Sequence, residues 1–312
     1  LIWRGGSSTL RTRTCRQAVC NRLRQKFKTD PMRKFLYEIG SLSLINVANH
    51  DGWLGVKNFQ QGTHPDAHFM SGEEHSKTVL KHREGCFACP ISCGRFSEYR
   101  DRYKNISLYV FLRSSDKKLA EKYLNYSKKY IKMYSDLIGN YPYKKFALVE
   151  NFFETGYGFA SFTLIGPTVL RFPFMPVSSY PHEILHNWWG NGVFVDYDKG
   201  NWSEGLTAYL ADHMLAEQRG KGVDYRSNTL KKYTDFVSDD NDIELSAFKS
   251  RHSGASEAVG YGKSLMFFHA LRKKVGDEVF IKSIKKFYQK NLFKKASFDD
   301  IRVAFEEESG LN

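Results

Sequence analysis

Hydrophobic and polar positions divide the longer, C-terminal part of the chain into a few strand-like runs and several helical stretches. Ile106 to Leu112 is an apolar run of strand length, and Phe146 to Val149 is a second one that follows the turn sequence G-N-Y-P-Y. Helical spacing of apolar residues runs from Lys117 to Ile138, and it returns from Tyr261 to Leu271 and from Phe280 to Phe287. This order of elements predicts an α+β fold with a small sheet and a helical C-terminal half.

Two histidines in the run P-H-E-I-L-H-N-W-W-G-N indicate a metal site. His182, Glu183 and His186 form the pattern H-E-x-x-H, and residues four apart on an α-helix differ by about 40° around the axis and roughly 6 Å along it. Both imidazoles can therefore reach one ion, and Glu183 can take a proton from a water that the ion holds. We predict a zinc site in which Glu183 is the general base.

A catalytic zinc ion takes three protein ligands and keeps a fourth position for water or substrate. Glu204 is the best candidate for the third ligand, because the apolar spacing from Ser203 to Met214 is helical and places Glu204 in the first turn. Zinc lowers the pKa of a bound water from about 15.7 to about 7 and polarises a carbonyl group. The predicted reaction is metal-assisted hydrolysis of a peptide bond.

From about Ser97 to the C-terminus the sequence resembles the catalytic domain of the aminopeptidase N and leukotriene hydrolase family of zinc peptidases. The matching segments are H-E-I-L-H-N-W-W-G-N at 182–191, S-E-G-L-T-A-Y-L at 203–210 and Y-G-K-S at 261–264, where the family has Y-x-K-G. The resemblance implies a thermolysin-like zincin fold, a zinc cofactor and an aminopeptidase-like activity on peptides. It also implies that Tyr261 stabilises the tetrahedral oxyanion, a role that suits a preorganised phenol.

Two departures from that family bear on substrate choice. Seventeen residues separate His186 from Glu204, where the family usually has eighteen, so the intervening loop is tighter. The family's G-x-M-E-N segment, whose glutamate holds the free amino terminus of the substrate, is replaced here by T-G-Y-G-F-A-S-F-T at 155–163. Gly158 stands about where that glutamate should be.

The same segment is still expected to border the substrate. An extended backbone edge for a bound peptide is predicted at four consecutive residues: Gly156, Tyr157, Gly158 and Phe159. Glu150 and Glu154 lie nearby, and they are either substitute acceptors for an amine or solvated acids at a strand end. Amino-terminal selectivity therefore does not follow from the resemblance.

All five cysteines lie in the first 95 residues, at positions 15, 20, 86, 89 and 93. Cys86, Cys89 and Cys93 have the spacing C-x2-C-x3-C, which is tight enough for several thiolates to converge on one cluster or ion. A zinc ion or a four-iron cluster needs a fourth ligand, which Cys15 or Cys20 could supply. Reduced thiols without a ligand are the alternative.

Residues from about Thr29 to Arg95 resemble part of the tungsten-containing aldehyde ferredoxin oxidoreductase family. The matching features are G-W-L-G-V-K-N-F-Q-Q-G at 52–62, S-G-E-E at 71–74 and the cysteine run. The resemblance implies a mainly helical fragment and an iron-sulfur cluster on Cys86, Cys89 and Cys93, with a fourth cysteine from far downstream. That downstream region is replaced here by the peptidase-like part, so we do not expect tungstopterin oxidoreductase activity.

Charge is distributed unevenly along the chain. Residues 1–28 contain eight Arg or Lys and no acid, and they supply over half of the net charge of +13. We predict a disordered basic segment there, with a mitochondrial transit peptide as the alternative. The Lys-rich helix faces further on are interpreted as solvated surface, so no nucleic-acid partner is predicted. No run of about twenty apolar residues occurs, so no membrane span is predicted.

The 312 residues leave room for two domains of ordinary size. We predict the basic segment at 1–28, the oxidoreductase-like fragment at 29–95, and a zinc peptidase domain at 96–312 that ends before the family's helical domain would. A zinc peptidase acting on peptides is the favoured function. One alternative is an iron-sulfur electron-transfer fragment. The other is a peptide-binding protein without turnover, but the presence of Glu183 and Tyr261 argues against it.

Overall fold

The structure is a computed structural model that describes residues 96–151 and 154–311, together with the backbone of four short strands before them. Ser43–Ile45 pairs with Ser92–Gly94, and Val47–Ala48 pairs with His68–Phe69, both antiparallel. The segments predicted at 1–28 and 29–95 otherwise lie outside the described residues, and their predicted disorder and helical content stay predictions. Of two compact units in the chain, the larger consists mainly of Glu98–Leu112 and Asp116–Asn312.

The larger unit is built on a mixed five-stranded sheet. Its strands are β1 (Ser97–Tyr103), β2 (Ile106–Leu112), β3 (Lys145–Glu150), β4 (Gly156–Phe159) and β5 (Phe162–Ile165). Their order is β1-β2-β3-β5-β4, with β2, β3 and β5 parallel to one another and β4 antiparallel to β5. The strands predicted from the apolar runs are confirmed as β2 and as the interior of β3. Strand β4 forms one edge of the sheet.

Helix α1 (Lys117–Leu137) packs against β2 and confirms the longest predicted helix. Asp116 caps its N-terminus, because one carboxylate oxygen accepts a hydrogen bond of 2.9 Å from the amide of Leu119. Two buried tyrosines of α1 donate to backbone carbonyls just ahead of the histidine segment, Tyr123 to Leu170 at 2.6 Å and Tyr130 to Pro176 at 2.9 Å. Helix α1 thereby fixes the path of the chain into the helix that carries the two histidines.

The rest of the unit is mainly helical, as the sequence predicts. Its α-helices are α2 (Pro167–Arg171), α3 (Ser179–Leu185), α4 (Ser203–Thr207), α5 (Met214–Gln218), α6 (Gly222–Phe236), α7 (Gly254–Glu257), α8 (Ser264–Val275), α9 (Asp277–Asn291) and α10 (Phe298–Ser309). Two π-helical segments, Ala208–His213 and Ala258–Lys263, join α4 to α5 and α7 to α8. Short 3-10 turns occur at Met175–Val177, Tyr197–Lys199 and Leu245–Ala247.

A small parallel pair, β6 (Phe194–Val195) and β7 (Lys295–Ala296), links the loop after the histidines to the C-terminal helices. The coarse prediction of a mixed fold of helices and sheet is thus confirmed. None of the helices in the described ranges has both the length and the apolarity that a membrane span requires.

Three fully buried tryptophans flank the predicted metal ligands. Trp188 and Trp189 follow the second histidine, and Trp202 precedes Glu204. The indole of Trp188 donates to the Gly139 carbonyl at 2.9 Å, and that of Trp202 donates to the Ala296 carbonyl at 2.7 Å. Each buried aromatic ring removes about 150–250 Å² from water. The hydrophobic core therefore holds both ends of the loop that connects the histidines to Glu204.

Candidate metal centre

The H-E-x-x-H pattern lies on α3 and on the residue that ends it. The amide of His186, the C-cap of α3, donates to the His182 carbonyl at 3.2 Å, so the two histidines are one helical turn apart. Pro181 lies in the first turn, where a missing N–H costs nothing. Ile184 and Leu185 are fully buried in the core, which leaves the histidines on the other side of the helix.

One atom each from His182, His186 and Glu204 lie within 4.8 Å of one another. Oε2 of Glu204 is 3.7 Å from Nε2 of His182 and 3.4 Å from Nε2 of His186. A tetrahedral zinc ion with bonds of about 2.0–2.2 Å separates its ligand atoms by about 3.4 Å. The three side chains therefore supply donor types that zinc binds, and the distances of both histidines to the Glu204 oxygen are near the spacing that a zinc ion imposes.

A second observation supports a cation at this point. Oε2 of Glu204 is a buried oxygen for which the described residues supply no hydrogen-bond partner. Burying a carboxylate oxygen without a partner is costly, and such oxygens are normally paired or bound to a metal. An ion between the three side chains would satisfy this atom.

The Nδ1 atom of each histidine is held by an acceptor behind it. Nδ1 of His182 lies 2.9 Å from a carboxylate oxygen of Asp212, and Nδ1 of His186 lies 3.1 Å from the Trp189 carbonyl. Because both partners can only accept, each Nδ1 carries a proton, which leaves each Nε2 as the nitrogen that could bind an ion. Sequence reasoning missed Asp212, although a carboxylate behind a ligating histidine is a common partner.

The first π segment explains how Asp212 reaches His182. Asp212 follows Glu204 by eight positions, which in a regular α-helix would place them roughly 80° apart around the axis. Residues 208–213 form wider turns with i to i+5 hydrogen bonds, and these reduce the rotation per residue. Glu204 and Asp212 consequently face the same histidine from one helical stretch.

The pKa values of His182 and Glu204 are each shifted by the charges of their neighbours. Burial opposes a charge on His182, but Asp212 and Glu204 together raise its pKa well above the ordinary value. Burial likewise opposes a charge on Glu204, yet the two histidines hold its pKa well below the ordinary value. The carboxylate is therefore ionised at neutral pH, as a metal ligand must be.

Glu183 and Tyr261, the residues predicted to be catalytic, lie beside this cluster. Burial raises the pKa of Glu183, with the two histidines opposing it. The ring of Tyr261 lies 6.2 Å from the ring of His182, at an angle of 12°. Burial and the charge of Glu204 raise the pKa of Tyr261, so its phenol stays protonated and can donate a hydrogen bond.

The residues predicted to border the substrate form edge strand β4, which packs against α3. The two nearby acids point to other partners. Glu150 is only 2% exposed and accepts a hydrogen bond of 2.6 Å from the Arg171 guanidinium. The carboxylate of exposed Glu154 accepts from the amides of Thr168 and Val169, in the first turn of α2. The side chains of Cys86, Cys89 and Cys93 lie outside the described residues.

The larger unit is similar in fold to solved structures of known proteins. The larger unit has the fold of the M1 zinc metallopeptidases: the enzyme from Deinococcus radiodurans matches with a TM-score of 0.57 at 18% identity, over 70% of this chain and 50% of that one. Native yeast LTA4 hydrolase matches with a TM-score of 0.52 at 17% identity, over 70% of this chain and 36% of that one. At these identities the likeness establishes the fold alone.

The sequence comparisons find the same family in the C-terminal part of the chain. The family model of the Peptidase family M1 domain matches residues 177–312. The mitochondrial aminopeptidase 2 of Saccharomyces cerevisiae is 26% identical over 136 residues, which is 41% of this chain and 14% of that protein. The predicted resemblance of the C-terminal part to the M1 zinc peptidases is thereby confirmed.

The N-terminal part matches a different family. The family model of aldehyde ferredoxin oxidoreductase, domains 2 and 3, covers residues 18–148. The tungsten-containing enzyme of Pyrococcus furiosus is 41% identical over 71 residues, which is 22% of this chain and 12% of that protein. This second resemblance is also confirmed. The chain thus spans about one eighth of the oxidoreductase and one seventh of the aminopeptidase that it matches.

Proposed function

We propose that the larger unit is a zinc-dependent metallopeptidase that uses the hydrolytic chemistry of the M1 aminopeptidases. The observation that carries this proposal is the convergence of two Nε2 atoms and an otherwise unpartnered Glu204 oxygen, with Glu183 next to them. The match of residues 177–312 to the M1 domain supports it. So does the solved structure of a Deinococcus radiodurans M1 zinc metallopeptidase variant bound to a Tyr-Ser-Ala substrate.

His182, His186 and Glu204 would hold the ion. When bound, zinc supplies Lewis-acid polarisation of a carbonyl and lowers the pKa of a water to about 7. Glu183 accepts the proton of the attacking water and passes it to the leaving amine, which is general base and then general acid catalysis. The Tyr261 phenol donates a hydrogen bond to the oxyanion that develops on the peptide carbonyl.

The remaining residues position these groups. Asp212 and the Trp189 carbonyl fix the orientation of the two imidazoles, so the Nε2 lone pairs converge without rearrangement. Strand β4 is the terminal strand of its sheet, so a peptide lying along its free edge passes beside the helix that carries Glu183.

The test combines metal analysis with peptide hydrolysis by the full chain. We expect about one zinc per chain, and hydrolysis that a chelator abolishes and added zinc restores. Glu183→Gln should lower kcat by about 100-fold to 10,000-fold while zinc stays bound, because this residue moves a proton and does not ligate. Zinc binding without hydrolysis of any peptide by the unaltered chain would refute the proposal.

The confirmed match of the N-terminal part to an aldehyde ferredoxin oxidoreductase supports a second candidate function. We propose that Cys86, Cys89 and Cys93 hold an iron-sulfur cluster in an electron-transfer fragment, on the basis of the family match and the cysteine spacing. Stoichiometric iron and broad visible absorption after anaerobic reconstitution would support this function. Their absence would leave these residues as thiols without a metal.

A further inference from the structure

Strand β4 presents bare backbone to the catalytic helix. Alternate residues of a strand share a face, and Gly156 and Gly158 both face α3. A Cβ atom added at Gly156 would lie 3.0 Å from Oε1 of Glu183, and one added at Gly158 would lie 2.9 Å from Cβ of His186 and 3.0 Å from the Glu183 carbonyl. Any side chain at Gly158 would therefore force the strand away from α3.

This packing removes one place for an acid that could bind a substrate amine. In a peptide whose first bond is cleaved, the α-amine is two bonds from the reacting carbonyl carbon, so its partner must lie close to the metal. Position 158 is next to the metal-binding helix, but it has no room for a carboxylate. Among the described residues, the acids beside the metal position are Glu183, Glu204 and Asp212, and they are already assigned to proton transfer, to the ion and to Nδ1 of His182.

The two acids that flank β4 in sequence are committed elsewhere. Glu150 is buried in its contact with Arg171. The carboxylate of Glu154 receives amide hydrogen bonds from Thr168 and Val169. Turning either side chain toward a substrate would break these hydrogen bonds, and in the case of Glu150 it would leave a charge without its partner.

We propose that this site takes peptides without a free α-amine next to the scissile bond, that is, amino-terminally blocked peptides or internal peptide bonds. The inference rests on the proposed function and names its substrate class. An ammonium group bound beside the metal would lose its hydration without gaining a carboxylate partner. A neutral amide nitrogen at the same place avoids that cost.

The test uses matched ligand pairs that differ only in acetylation of the amine. The zinc-loaded full chain is titrated with leucine hydroxamate and with N-acetyl-leucine hydroxamate, and kcat/KM is measured for matched free and acetylated peptide para-nitroanilides. We expect the acetylated member to bind and react as well as the free one or better. Free-amine members favoured by more than about 30-fold, which is the scale of a good ion pair, would overturn the proposal.

The binding measurement separates the proposed ligand selectivity from the proposed peptidase function. If acetylated hydroxamate binds at least as well but neither substrate is hydrolysed, the proposed peptidase function falls and the ligand selectivity stands. If hydrolysis occurs only with free amines, the function stands and the selectivity falls.

Discussion

The metal end of the site, formed by His182, His186 and Glu204, and its substrate edge, formed by strand β4, are built in opposite ways. At the metal end, each histidine has an acceptor behind it and Glu204 has an oxygen aimed at the shared position. At the substrate edge, Gly156 and Gly158 bring backbone against α3, and the nearby acids bind other groups. Under the two proposals above, the catalytic chemistry of the M1 family is kept while its recognition of the substrate terminus is changed.

The largest expected effect that tests the metal end concerns Tyr261. Tyr261→Phe removes the phenol donor, so we expect kcat to fall by about 100-fold to 1,000-fold while zinc content is unchanged. Steady-state kinetics with metal analysis measure both. The matched control is Tyr126→Phe, since Tyr126 lies on α1 and phenylalanine keeps its ring contact with Tyr130, so this change should cost little. If Tyr261→Phe kept kcat within about tenfold, the phenol would have no part in stabilising the oxyanion.

Asp212 tests whether the metal end depends on its supporting acceptors. Asp212→Ala leaves Nδ1 of His182 without its partner, and loss of such a partner weakens metal binding by about 10-fold to 100-fold. Competition with a chelator measures this affinity. Asp212→Asn should recover part of the loss because its amide oxygen still accepts, and exposed Asp224→Ala serves as the surface control. Equal zinc affinity in all three variants would contradict the role of Asp212.

Gly205 tests how closely the helix bearing Glu204 must approach the helix that follows Tyr261. A Cβ atom at Gly205 would lie 1.9 Å from Oγ of Ser264. Gly205→Ala should therefore destabilise the fold by about 1–3 kcal/mol through overpacking, measured by denaturant unfolding.

Two further variants make this prediction sharper. Adding Ser264→Gly to Gly205→Ala should restore much of the stability, because it removes the atoms that clash. Gly262→Ala is the matched control. Its added Cβ would lie 3.1 Å from the Thr229 side chain and 3.9 Å from the Thr229 carbonyl, which is a much milder contact than the one at Gly205. A double variant no more stable than Gly205→Ala would show that the contact with Ser264 is not the cause.

Much of this arrangement could be predicted from local pattern. The apolar runs located β2, β3, α1 and α9, because their periodicity matches regular strands and helices. The pattern H-E-x-x-H and the acid in the first turn of α4 gave the three candidate ligands, which the structure brings within 4.8 Å. These features depend on residues close in sequence or on one regular helix.

What could not be predicted depends on departures from regular geometry and on contacts across the fold. The π segment at Ala208–His213 has no periodic signature, and without it Asp212 would not be expected to face His182. The hydrogen-bond partners of the acids beside β4 could not be predicted either. Glu154 has the right charge and position to bind an amine, and its contact with the first turn of α2 appears only once the chain has folded.

The smallest expected effect tests the substrate edge at that residue. Glu154→Gln keeps an oxygen acceptor for the amides of Thr168 and Val169 but removes the charge. We expect the preference between free and acetylated substrates to stay within about twofold, because a carboxylate that caps α2 does not hold a substrate amine. Glu154→Ala, which removes the acceptor as well, should slightly lower the thermal midpoint without changing that preference. If Glu154→Gln instead selectively weakened free-amine substrates, this acid would be an amine acceptor, and the substrate edge would resemble the metal end in having a functional carboxylate.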